Sequence, residues 1–555
     1  NTIKIIGDNT DYYAQAYFAY DSKKSGGVTR SHLRFGKKPI RSTYLVTKPS
    51  FVSCSLDSYL EKYDMLSGLR KGGTFLLNTI YKADEIVEKM PNKVKRILAE
   101  KEAKFYIIDA ITLAREIGLG NRTNTILQSA FFKLNDHIIP FDKAEQLMKD
   151  YAEKTYSRKG DKVVQLNFRA IEVGYEGLTE VKVDPAWKDL KDEVYEVESD
   201  KPEFVKNIAE PINQINGNDL PVSAFEKYVD GTMVNGSTQY EKRAIANFVP
   251  RWIEENCIQC NQCSFVCPHA VIRPFLLTEE EKGNAPRDFV TLKPLGKGLD
   301  GLEYRIQVSP LDCTGCEVCV NACPGKKGNK ALQMVPIGEE IERNEAINAE
   351  YLFNNVTYKD NLMTKSNVKG SQFAQPLFEF HGACPGCGET PYIKLVTQLF
   401  GDRMVIANAT GCSSIYGGSY PSTPYTKNSE GRGPAWANSL FEDNAEFGFG
   451  MRVAAETMRD RIQNIMAENI DKVDDNLKAL FTKWMENRNS GIVTHEIEND
   501  LVKGIEASDN KDVKAILEVK DHLVKRSQWI FGGDGWAYDI GFGGLDHVIA
   551  NNEDV

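Results

Sequence analysis

The fold of the middle of this chain is decided by the stretch CIQCNQCSFVCP, residues 257–268. The same spacing of cysteines returns in CTGCEVCVNACP, residues 313–324. Each copy has three cysteines at intervals of three, a fourth cysteine four positions later, and a proline directly after it. Such a segment is typical of a chain that wraps around a cuboidal iron–sulfur cluster, because soft, anionic thiolates suit iron. The duplication therefore predicts two 4Fe–4S clusters.

The order of the cysteines also predicts how the two clusters share them. In two-cluster ferredoxins the fourth cysteine of each run binds the cluster of the other run. We therefore expect a first ligand set of Cys257, Cys260, Cys263 and Cys323, and a second ligand set of Cys313, Cys316, Cys319 and Cys267. Zinc knuckles usually pair two cysteines, and disulfide scaffolds are usually short and secreted, so both alternatives fit less well. Residues 241–353 are predicted to form a small α+β ferredoxin-like domain.

The composition limits the other functions that the chain could have. A length of 555 residues suggests three or four domains, and 41% hydrophobic with 26% charged residues is ordinary globular composition. The net charge of −10 argues against nucleic-acid binding by bulk charge. We find no apolar run near the ~18–20 residues of a membrane span. The cysteine usage favours the reducing cytoplasm of a low-oxygen cell.

The regions on either side of the cysteine motifs read as α/β structure. Residues 1–195 are predicted to be an α/β domain with a parallel sheet, 196–240 a connector, and 354–555 a second α/β part with a helical insertion at about 451–527. We predict strands at Thr2–Ile6, Thr43–Thr47, Phe51–Ser55, Thr74–Asn78 and Phe105–Asp109. We predict helices at Tyr12–Tyr20, Met451–Asn469, Asp474–Asn487 and Asn510–Arg526.

Four cysteines lie outside the duplicated motif. Cys384 and Cys387 flank a Pro-Gly turn, and their spacing alone fits a zinc knuckle, a redox pair or part of a cluster. Cys412, in a Gly-Cys-Ser-Ser turn, adds a third thiol, so a cubane here would need a fourth ligand from elsewhere. Cys54 lies in a β-rich run and is predicted to be a buried, inert thiol.

A glycine-rich turn near residue 534 is a candidate diphosphate site. Gly532-Gly533-Asp534-Gly535-Trp536 follows the apolar run Trp529–Phe531. A strand that ends in such a turn lets backbone N–H groups approach a diphosphate while the carboxylate holds Mg²⁺. Gly-Asp-Gly alone is a weak signal, since most such triplets are plain turns.

Taken together, these residues resemble the pyruvate:ferredoxin (flavodoxin) oxidoreductase family over essentially the whole chain. The resemblance rests on the duplicated cysteine motif and on residues 381–390, 410–414, 533–541, 22–27 and 31–36. It implies an α/β multidomain protein with a CoA-binding-type domain, a ferredoxin-like domain with two 4Fe–4S clusters, and part of an α/β thiamine-diphosphate-binding domain. It also implies that the chain is the middle-to-C-terminal portion of the enzyme and is inactive alone, and that the enzyme is a homodimer.

The resemblance assigns roles to individual residues. Cys384, Cys387 and Cys412 would hold a third 4Fe–4S cluster whose fourth ligand lies outside the chain. Thiamine diphosphate would contact Glu389, Cys412, Gly533, Asp534, Gly535 and Trp536, with Asp534 on Mg²⁺. CoA would contact Lys24, Asn124 and Asn167, for which a solvated turn and ordinary helix capping are the alternatives. None of these residues is assigned as catalytic.

The implied reaction is the oxidative decarboxylation of pyruvate with CoA to acetyl-CoA and CO₂. Electrons would pass from thiamine diphosphate through three 4Fe–4S clusters to ferredoxin or flavodoxin. Two alternatives stay open. One is a relative acting on another 2-oxo acid, and the other is a ferredoxin-type electron-transfer subunit of an unrelated complex. The second alternative leaves Cys384, Cys387, Cys412 and the turn at Asp534 without a role.

Overall fold

The structure is a computed structural model that describes residues 1–192, 201–286 and 289–555. The chain forms two compact units, which are described separately. Unit 1 contains Asn1–Asp21 and Val28–Asp200, and unit 2 contains Ser22–Gly27 and Lys201–Val555. No helix in the described ranges is long and apolar enough to cross a membrane.

Unit 1 is built around a four-stranded sheet. Its strands are β1 (Tyr13–Ala19), β2 (Arg30–Gly36), β3 (Phe51–Cys54), β4 (Thr74–Asn78), β5 (Lys104–Ile108) and β6 (Thr179–Val181). The sheet has the order β3-β4-β5-β6, in which β3, β4 and β5 are parallel and β6 is antiparallel. Its helices are α1 (Thr2–Asn9), α2 (Tyr59–Lys62), α3 (Ala83–Lys89), α4 (Asn92–Glu100), α5 (Ala110–Glu116), α6 (Asn124–Leu134), α7 (Phe141–Tyr156) and α8 (Asp161–Glu176).

Helices cover both faces of this sheet, which confirms the predicted α/β class. Along β4, Phe75, Leu76 and Leu77 are all fully buried. Phe75 and Leu77 pack in a cluster with Leu98 of α4, whereas Leu76 packs in another cluster with Ile126 of α6. A strand that is buried on both faces reads as a continuous apolar run, which is why β4 could be predicted from the sequence.

Two predictions near the N-terminus of unit 1 were wrong. The run Thr2–Ile6, predicted as a strand, lies in α1, where Ile5 and Ile6 are fully buried with residues of α6, α7 and α8. Tyr12–Tyr20, predicted as a helix, contains strand β1, which pairs with β2 so that Tyr13 faces Gly36. In both cases contacts with distant residues override the local preference of the sequence.

The predicted strand at Thr43–Thr47 was also wrong, because this segment has no strand conformation. The side chains of β2 hold it instead. The Arg34 guanidinium lies 3.1 Å from the centre of the Tyr44 ring and donates to the Tyr44 carbonyl at 2.9 Å. The Val46 N–H donates to His32 Nδ1 at 3.1 Å. These side chains form hydrogen bonds with a backbone carbonyl and a backbone N–H group that would otherwise pair with a neighbouring strand.

Unit 2 contains two antiparallel strand pairs and a three-stranded parallel sheet. Its strands are β7 (Phe248–Trp252), β8 (Ile272–Leu277), β9 (Glu303–Val308), β10 (Leu332–Pro336), β11 (Met404–Asn408), β12 (Ala435–Asn438) and β13 (Ser527–Phe531). The antiparallel pairs are β7–β10 and β8–β9, and the parallel sheet has the order β12-β11-β13. Its helices are α9 (Glu210–Asn213), α10 (Gln262–Phe265), α11 (Glu279–Gly283), α12 (Val318–Ala322), α13 (Ile337–Glu342), α14 (Glu345–Asn355), α15 (Val368–Ser371), α16 (Thr390–Phe400), α17 (Cys412–Gly417), α18 (Asn444–Asn469), α19 (Asp475–Glu486), α20 (Gly491–Ala507), α21 (Lys511–Lys514) and α22 (Leu545–Ala550).

The predicted helical insertion has an apolar core of its own. Trp484, Phe481 and Leu501 from α19 and α20 are fully buried in one cluster. The Trp484 indole N–H donates to the Leu523 carbonyl at 2.8 Å. The helices predicted at Met451–Asn469 and Asp474–Asn487 match α18 and α19, whereas α20 was not predicted. The helix predicted at Asn510–Arg526 is α21 followed by a 3-10 segment, Ala515–His522.

The predicted connector has local structure where it is described. A π-helical turn, Val205–Ala209, leads into α9, and a small apolar cluster joins Phe204 and Ile208 with the ring of Tyr228. Residues 193–195 of the predicted first domain and 196–200 of the connector lie outside the described residues, as do residues 287 and 288.

Candidate functional site

The two cysteine motifs lie on a pair of equivalent chain segments. The first motif runs between β7 and β8, and the second runs between β9 and β10. Because β7 pairs with β10 and β8 pairs with β9, each half of the repeat contributes one strand to each antiparallel pair. A short helix contains the third cysteine of each half, α10 with Cys263 in the first and α12 with Cys319 in the second. This exchange of strands brings the end of one motif to the start of the other.

Left-handed residues bend both motifs in the same way. Gln259 and Asn261 have φ angles of 55° and 59°, and the equivalent Gly315 and Glu317 have φ angles of 67° and 65°. These are the second and fourth positions after the first cysteine of each motif. A left-handed conformation costs a residue with a side chain about 1–2 kcal/mol. The turns that carry the cysteines are therefore held in place by their surroundings.

Side-chain hydrogen bonds supply that restraint in the first motif. Gln259 Nε2 donates to the Lys293 carbonyl at 2.8 Å, and its Oε1 accepts from the Leu295 N–H at 2.7 Å. Asn261 Oδ1 accepts from the Tyr304 hydroxyl at 2.7 Å. The segment between the two motifs thus holds the first cysteine turn.

The first ligand set lines one cavity. Its four members, Cys257, Cys260, Cys263 and Cys323, surround an empty space of about 340 Å³ that opens partly to solvent. Cys323 reaches this cavity from the second motif, as the exchanged pairing requires. The Ala331 N–H donates to Cys323 Sγ at 3.3 Å.

The second ligand set is also brought together. Cys267, Cys313 and Cys319 are 4%, 6% and 8% exposed. The pKa of Cys313 is raised to about 12, mainly by burial; the Gly315 N–H acts to lower it, and the nearby thiols of Cys267 and Cys316 act to raise it. Burial likewise raises the pKa of Cys319, followed by the effects of Cys267, Cys313 and Cys263. Since Cys263 belongs to the first ligand set, the two sets are neighbours.

Both sets fit iron–sulfur clusters better than they fit empty thiol pockets. All eight thiols are free, and a buried thiol keeps its proton unless a cation stabilises the thiolate. Backbone donors aimed at sulfur, such as Gly315 N to Cys313 Sγ at 3.4 Å, stabilise bound thiolates. In the described part of the chain no three His, Cys, Asp or Glu side chains are arranged to hold a metal ion. A cubane does not require that arrangement, because its four thiolates bind four different irons.

A buried lysine lies between the two sets and was missed by the sequence analysis. Lys394 of α16 is 1% exposed and donates from Nζ to the Ser264 carbonyl and, at 3.1 Å, to the Phe265 carbonyl. Burial lowers the pKa of Lys394 to about 8, while the thiols of Cys267 and Cys263 act to raise it. A single lysine in an amphipathic helix gives no sequence signal of this position.

The turn that carries Cys384 and Cys387 packs against the second ligand set. Gly386 has a φ angle of 76°, and its N–H donates to the Cys316 thiol, lowering the pKa that burial raises. A side-chain carbon on Gly386 would lie 3.6 Å from Cys316 Cβ. Cys384 is exposed and Cys387 is partly buried.

The third thiol, Cys412, reaches the same neighbourhood through α17. Cys412 is exposed at the first residue of that helix. Cys387 packs on an apolar cluster that includes Tyr416, which also lies on α17. Glu389 is exposed at the start of α16, and after burial it is the main cause of the raised pKa of Tyr416 and Tyr425.

Two buried contacts tie the segment before Cys384 to the first motif. The rings of His269 and His381 stack with centres 4.4 Å apart, and His381 Nε2 lies 2.6 Å from the Pro268 carbonyl oxygen. Arg273 and Glu379 form an ion pair, and their side chains are only 4% and 7% exposed. The third cysteine turn is therefore fixed relative to the two ligand sets.

The docking segment, Ser22–Gly27, also contacts the chain just before Cys384, at Gly382. The N–H groups of Lys24 and Ser25 donate to the Gly382 carbonyl at 2.6 and 3.0 Å. Lys23 Nζ lies 3.3 Å from a Glu241 carboxylate oxygen, and both side chains are at most 10% exposed. Lys24, predicted to contact CoA, is itself exposed.

The two other predicted CoA residues lie in unit 1. Asn124 is exposed at the first residue of α6. Asn167 is buried in α8, accepts from the Thr125 hydroxyl at 3.1 Å and donates to the Val163 carbonyl at 2.8 Å. Its amide is thus already hydrogen-bonded within its own unit.

The candidate diphosphate turn lies at the carboxyl edge of the parallel sheet. Strands β11 and β13 pair so that Asn408 faces Phe531 at their ends. The chain after β11 leads to Cys412, and the chain after β13 leads to Asp534, which is exposed. The carboxyl ends of parallel strands are where such sheets bind cofactors. The Cys412 turn and the Asp534 turn therefore leave the sheet at the same edge.

The turn itself has room for a ligand on one side. A side-chain carbon on Gly533 would meet nothing within 4 Å, whereas one on Gly532 would lie 2.2 Å from the Trp536 ring. Trp536 is buried, and its indole N–H has no hydrogen-bond partner among the described residues. The open side of Gly533 is therefore where a phosphate-bearing group could approach the backbone, whereas the buried indole N–H faces Gly543.

The interlocked cysteine motifs define an iron–sulfur protein of the two-cluster type, and the comparisons with known proteins agree. A 4Fe-4S dicluster domain matches residues 256–327, the family described as pyruvate ferredoxin/flavodoxin oxidoreductase matches residues 1–177, and a domain of unknown function matches residues 191–246. The chain belongs to the pyruvate ferredoxin/flavodoxin oxidoreductase family.

Three relatives match over the whole of this chain and over part of their own length. The chain is 50% identical to the pyruvate:ferredoxin oxidoreductase of Moorella thermoacetica, over 100% of this chain and 48% of that protein. It is 50% identical to the pyruvate-flavodoxin oxidoreductase of Enterobacter agglomerans, over 100% of this chain and 47% of that protein. It is 45% identical to the mitochondrial pyruvate dehydrogenase (NADP(+)) of Euglena gracilis, over 100% of this chain and 30% of that protein. The chain spans about half the length of the first two relatives.

Proposed function

We propose that this chain forms the electron-transfer part and one side of the thiamine site of an enzyme that oxidises pyruvate with CoA to acetyl-CoA and CO₂. Electrons would leave through three 4Fe–4S clusters to ferredoxin or flavodoxin. The observation that carries the proposal is the cavity shared by Cys257, Cys260, Cys263 and Cys323, which is the exchanged ligand set of a two-cluster protein.

The two ligand sets would hold two clusters, and their cysteines would supply all eight thiolates. The backbone N–H groups at Gly315, Ala331 and Gly386 would stabilise those thiolates. Cys384, Cys387 and Cys412 would contribute to a third cluster with one ligand from outside this chain. The contact of Gly386 with Cys316 supports electron transfer between the third cluster and the second ligand set.

Thiamine diphosphate supplies an electron sink for decarboxylation when it is bound. The residues that would hold it here are Glu389, Cys412 and the turn Gly533–Trp536. Backbone N–H groups of that turn would bind the diphosphate, and Asp534 would bind Mg²⁺. The shared edge of β11 and β13 supports this assignment, because it directs Cys412 and Asp534 to one side of the sheet.

The remaining assignments rest more on the family than on geometry. We propose residues 1–195 as the CoA-binding-type domain, 196–240 as a connector, 241–353 as the ferredoxin-like domain, and 354–555 as part of the thiamine-binding domain. Lys24 and Asn124 are exposed and free to meet CoA phosphate or amide groups, whereas Asn167 would act by holding Thr125. We also propose that the complete enzyme is a homodimer and that it works in the cytoplasm of a low-oxygen cell.

The alternative of a simple electron-transfer subunit predicts clusters but no thiamine site. The deciding experiment is anaerobic binding of thiamine diphosphate and Mg²⁺ to the natural gene product, measured by calorimetry. We expect Asp534→Asn to weaken binding at least tenfold, while Asp546→Asn on α22, an exposed carboxylate on the same stretch, leaves it unchanged. No binding to the unaltered protein would favour the electron-transfer subunit.

Iron analysis tests the clusters separately. We expect about eight irons and eight acid-labile sulfides from the two ligand sets, and about twelve when the third cluster is complete. Zinc or disulfides in place of iron would refute the cluster assignment.

A further inference from the structure

Lys394 is a buried cation at the junction of the two ligand sets. Its side chain leaves α16 and reaches the end of α10, the short helix that contains Cys263 and ends two residues before Cys267. There it donates to the carbonyls of Ser264 and Phe265. Cys263 belongs to the first ligand set and Cys267 to the second. The ammonium group therefore contacts the short chain segment that links a cysteine of the first set to a cysteine of the second set.

The charge of Lys394 is not balanced by a carboxylate. Among the described residues no Asp or Glu forms an ion pair with it, in contrast to the neighbouring Arg273, which pairs with Glu379. Two neutral carbonyls do not compensate for taking an ammonium group out of water. The Cys267 and Cys263 thiols, which become anionic only as cluster ligands, act to raise the pKa of Lys394, whereas the nearby Arg273 cation acts to lower it. A buried cation at this place is thus matched to negative charge on the clusters.

A second lysine gives a useful contrast. Lys369 is only partly buried, and burial lowers its pKa. The thiols of Cys260 and Cys257, both in the first ligand set, act to raise that pKa. Water screens a partly exposed charge more strongly than a buried one. Lys394 alone of these two lysines faces members of both sets.

We propose that Lys394 sets the reduction potential of both clusters, as a fixed positive charge that favours their reduced forms. Reduction adds one negative charge to a cluster, and net charge and hydrogen bonding around the cluster determine its potential. Lys394 is a positioning and tuning residue in this proposal, because it contacts no substrate. The proposal rests on the proposed function, since it requires both clusters to be present.

The alternative is a purely structural role, in which Lys394 caps the last carbonyls of α10. A cap needs hydrogen-bond donors, whereas tuning needs charge. Lys394→Gln keeps amide donors and removes the charge, and Lys394→Arg keeps the charge. The two variants therefore separate the two roles.

The test is an anaerobic redox titration of the natural gene product, followed by EPR, with iron counted in every sample. For Lys394→Gln we expect the reduction equilibrium of both clusters to shift about tenfold toward the oxidised form, which is ~59 mV for a one-electron couple. Lys394→Arg should stay within twofold of the unaltered protein. Lys369→Gln should shift one cluster only.

The control is Lys478→Gln, an exposed lysine on α19 that pairs with Asp471 at 2.6 Å. It should leave both potentials within twofold. A fully iron-loaded Lys394→Gln protein with unchanged potentials would overturn the proposal, and so would loss of iron from this variant, which would assign Lys394 to cluster assembly. Absence of clusters from the unaltered protein would instead refute the proposed function.

Discussion

Replacing Arg273 with methionine should loosen the joint between the first cysteine motif and the segment that leads to Cys384. Arg273 donates to the Ala270 carbonyl at 2.7 Å, to the Tyr358 hydroxyl at 2.8 Å and to the Glu379 carboxylate. Methionine has a similar length but no donor. The variant Arg273→Met therefore leaves a carboxylate that is 7% exposed without its cation.

The size of the effect follows from that burial. Removing one partner of a buried ion pair costs about 3–5 kcal/mol of unfolding free energy, because the other charge stays buried and uncompensated. We expect this loss for Arg273→Met. Removing both charges in Arg273→Met with Glu379→Gln should cost much less than the sum of the two single variants, with a coupling of at least about 2 kcal/mol.

The measurement is guanidinium-induced unfolding under anaerobic conditions, followed by tryptophan fluorescence in samples of equal iron content. The exposed pair of Lys227 and Glu203, with both side chains 71% exposed, supplies a matched control. Breaking that pair with Lys227→Met should change the unfolding free energy by less than about 1 kcal/mol. Single-variant effects at Arg273 and Glu379 that add within about 0.5 kcal/mol would refute the buried-pair reasoning.

Three further predictions concern the cysteines and their turns. Cys323→Ser should remove up to about four irons from the cluster of the first ligand set, and its EPR spectrum should differ from that of Cys319→Ser; identical spectra would contradict the exchanged sets. Gly386→Ala should destabilise the protein by about 1–2 kcal/mol in guanidinium unfolding because of the positive φ angle, whereas Gly388→Ala, next to open space, should not. Burial raises the pKa of Cys54 to about 12, so at pH 8 only about one thiol in ten thousand is ionised, and the native protein should resist alkylation there; reaction as fast as in the unfolded chain would disprove the burial.

The cysteine spacing predicted the most because it is a local pattern that encodes a long-range contact. The repeat predicts that the fourth cysteines are exchanged between the clusters, and this ligand assignment stays a prediction. The structure places Cys323 in the same cavity as Cys257, Cys260 and Cys263. The strand before Asp534 was also predictable, since Trp529–Phe531 is an apolar run that ends in glycines. In both cases one short segment carries the whole signal.

Other features depend on partners that are distant in the sequence. Ile5 and Ile6 favour a strand by their β-branched side chains, yet the core of unit 1 buries them in a helix. Lys394 meets Ser264 across 130 residues, and Arg273 meets Glu379 across 106. A lysine or arginine in isolation predicts a solvated side chain, so neither buried cation could be found from its neighbours in the sequence.

The docking segment Ser22–Gly27 has a consequence for any attempt to dissect the protein. It interrupts unit 1 after Asp21, contributes six residues to unit 2, and returns the chain to unit 1 at Val28. A truncated protein that starts at residue 201 would lose the donors to the Gly382 carbonyl and one of the two cations beside Glu241, since Lys23 would be gone and Arg243 would stay. Cutting the gene at the apparent boundary would thus damage the half that it was meant to isolate, whereas supplying the six residues as a separate peptide offers a way to repair it.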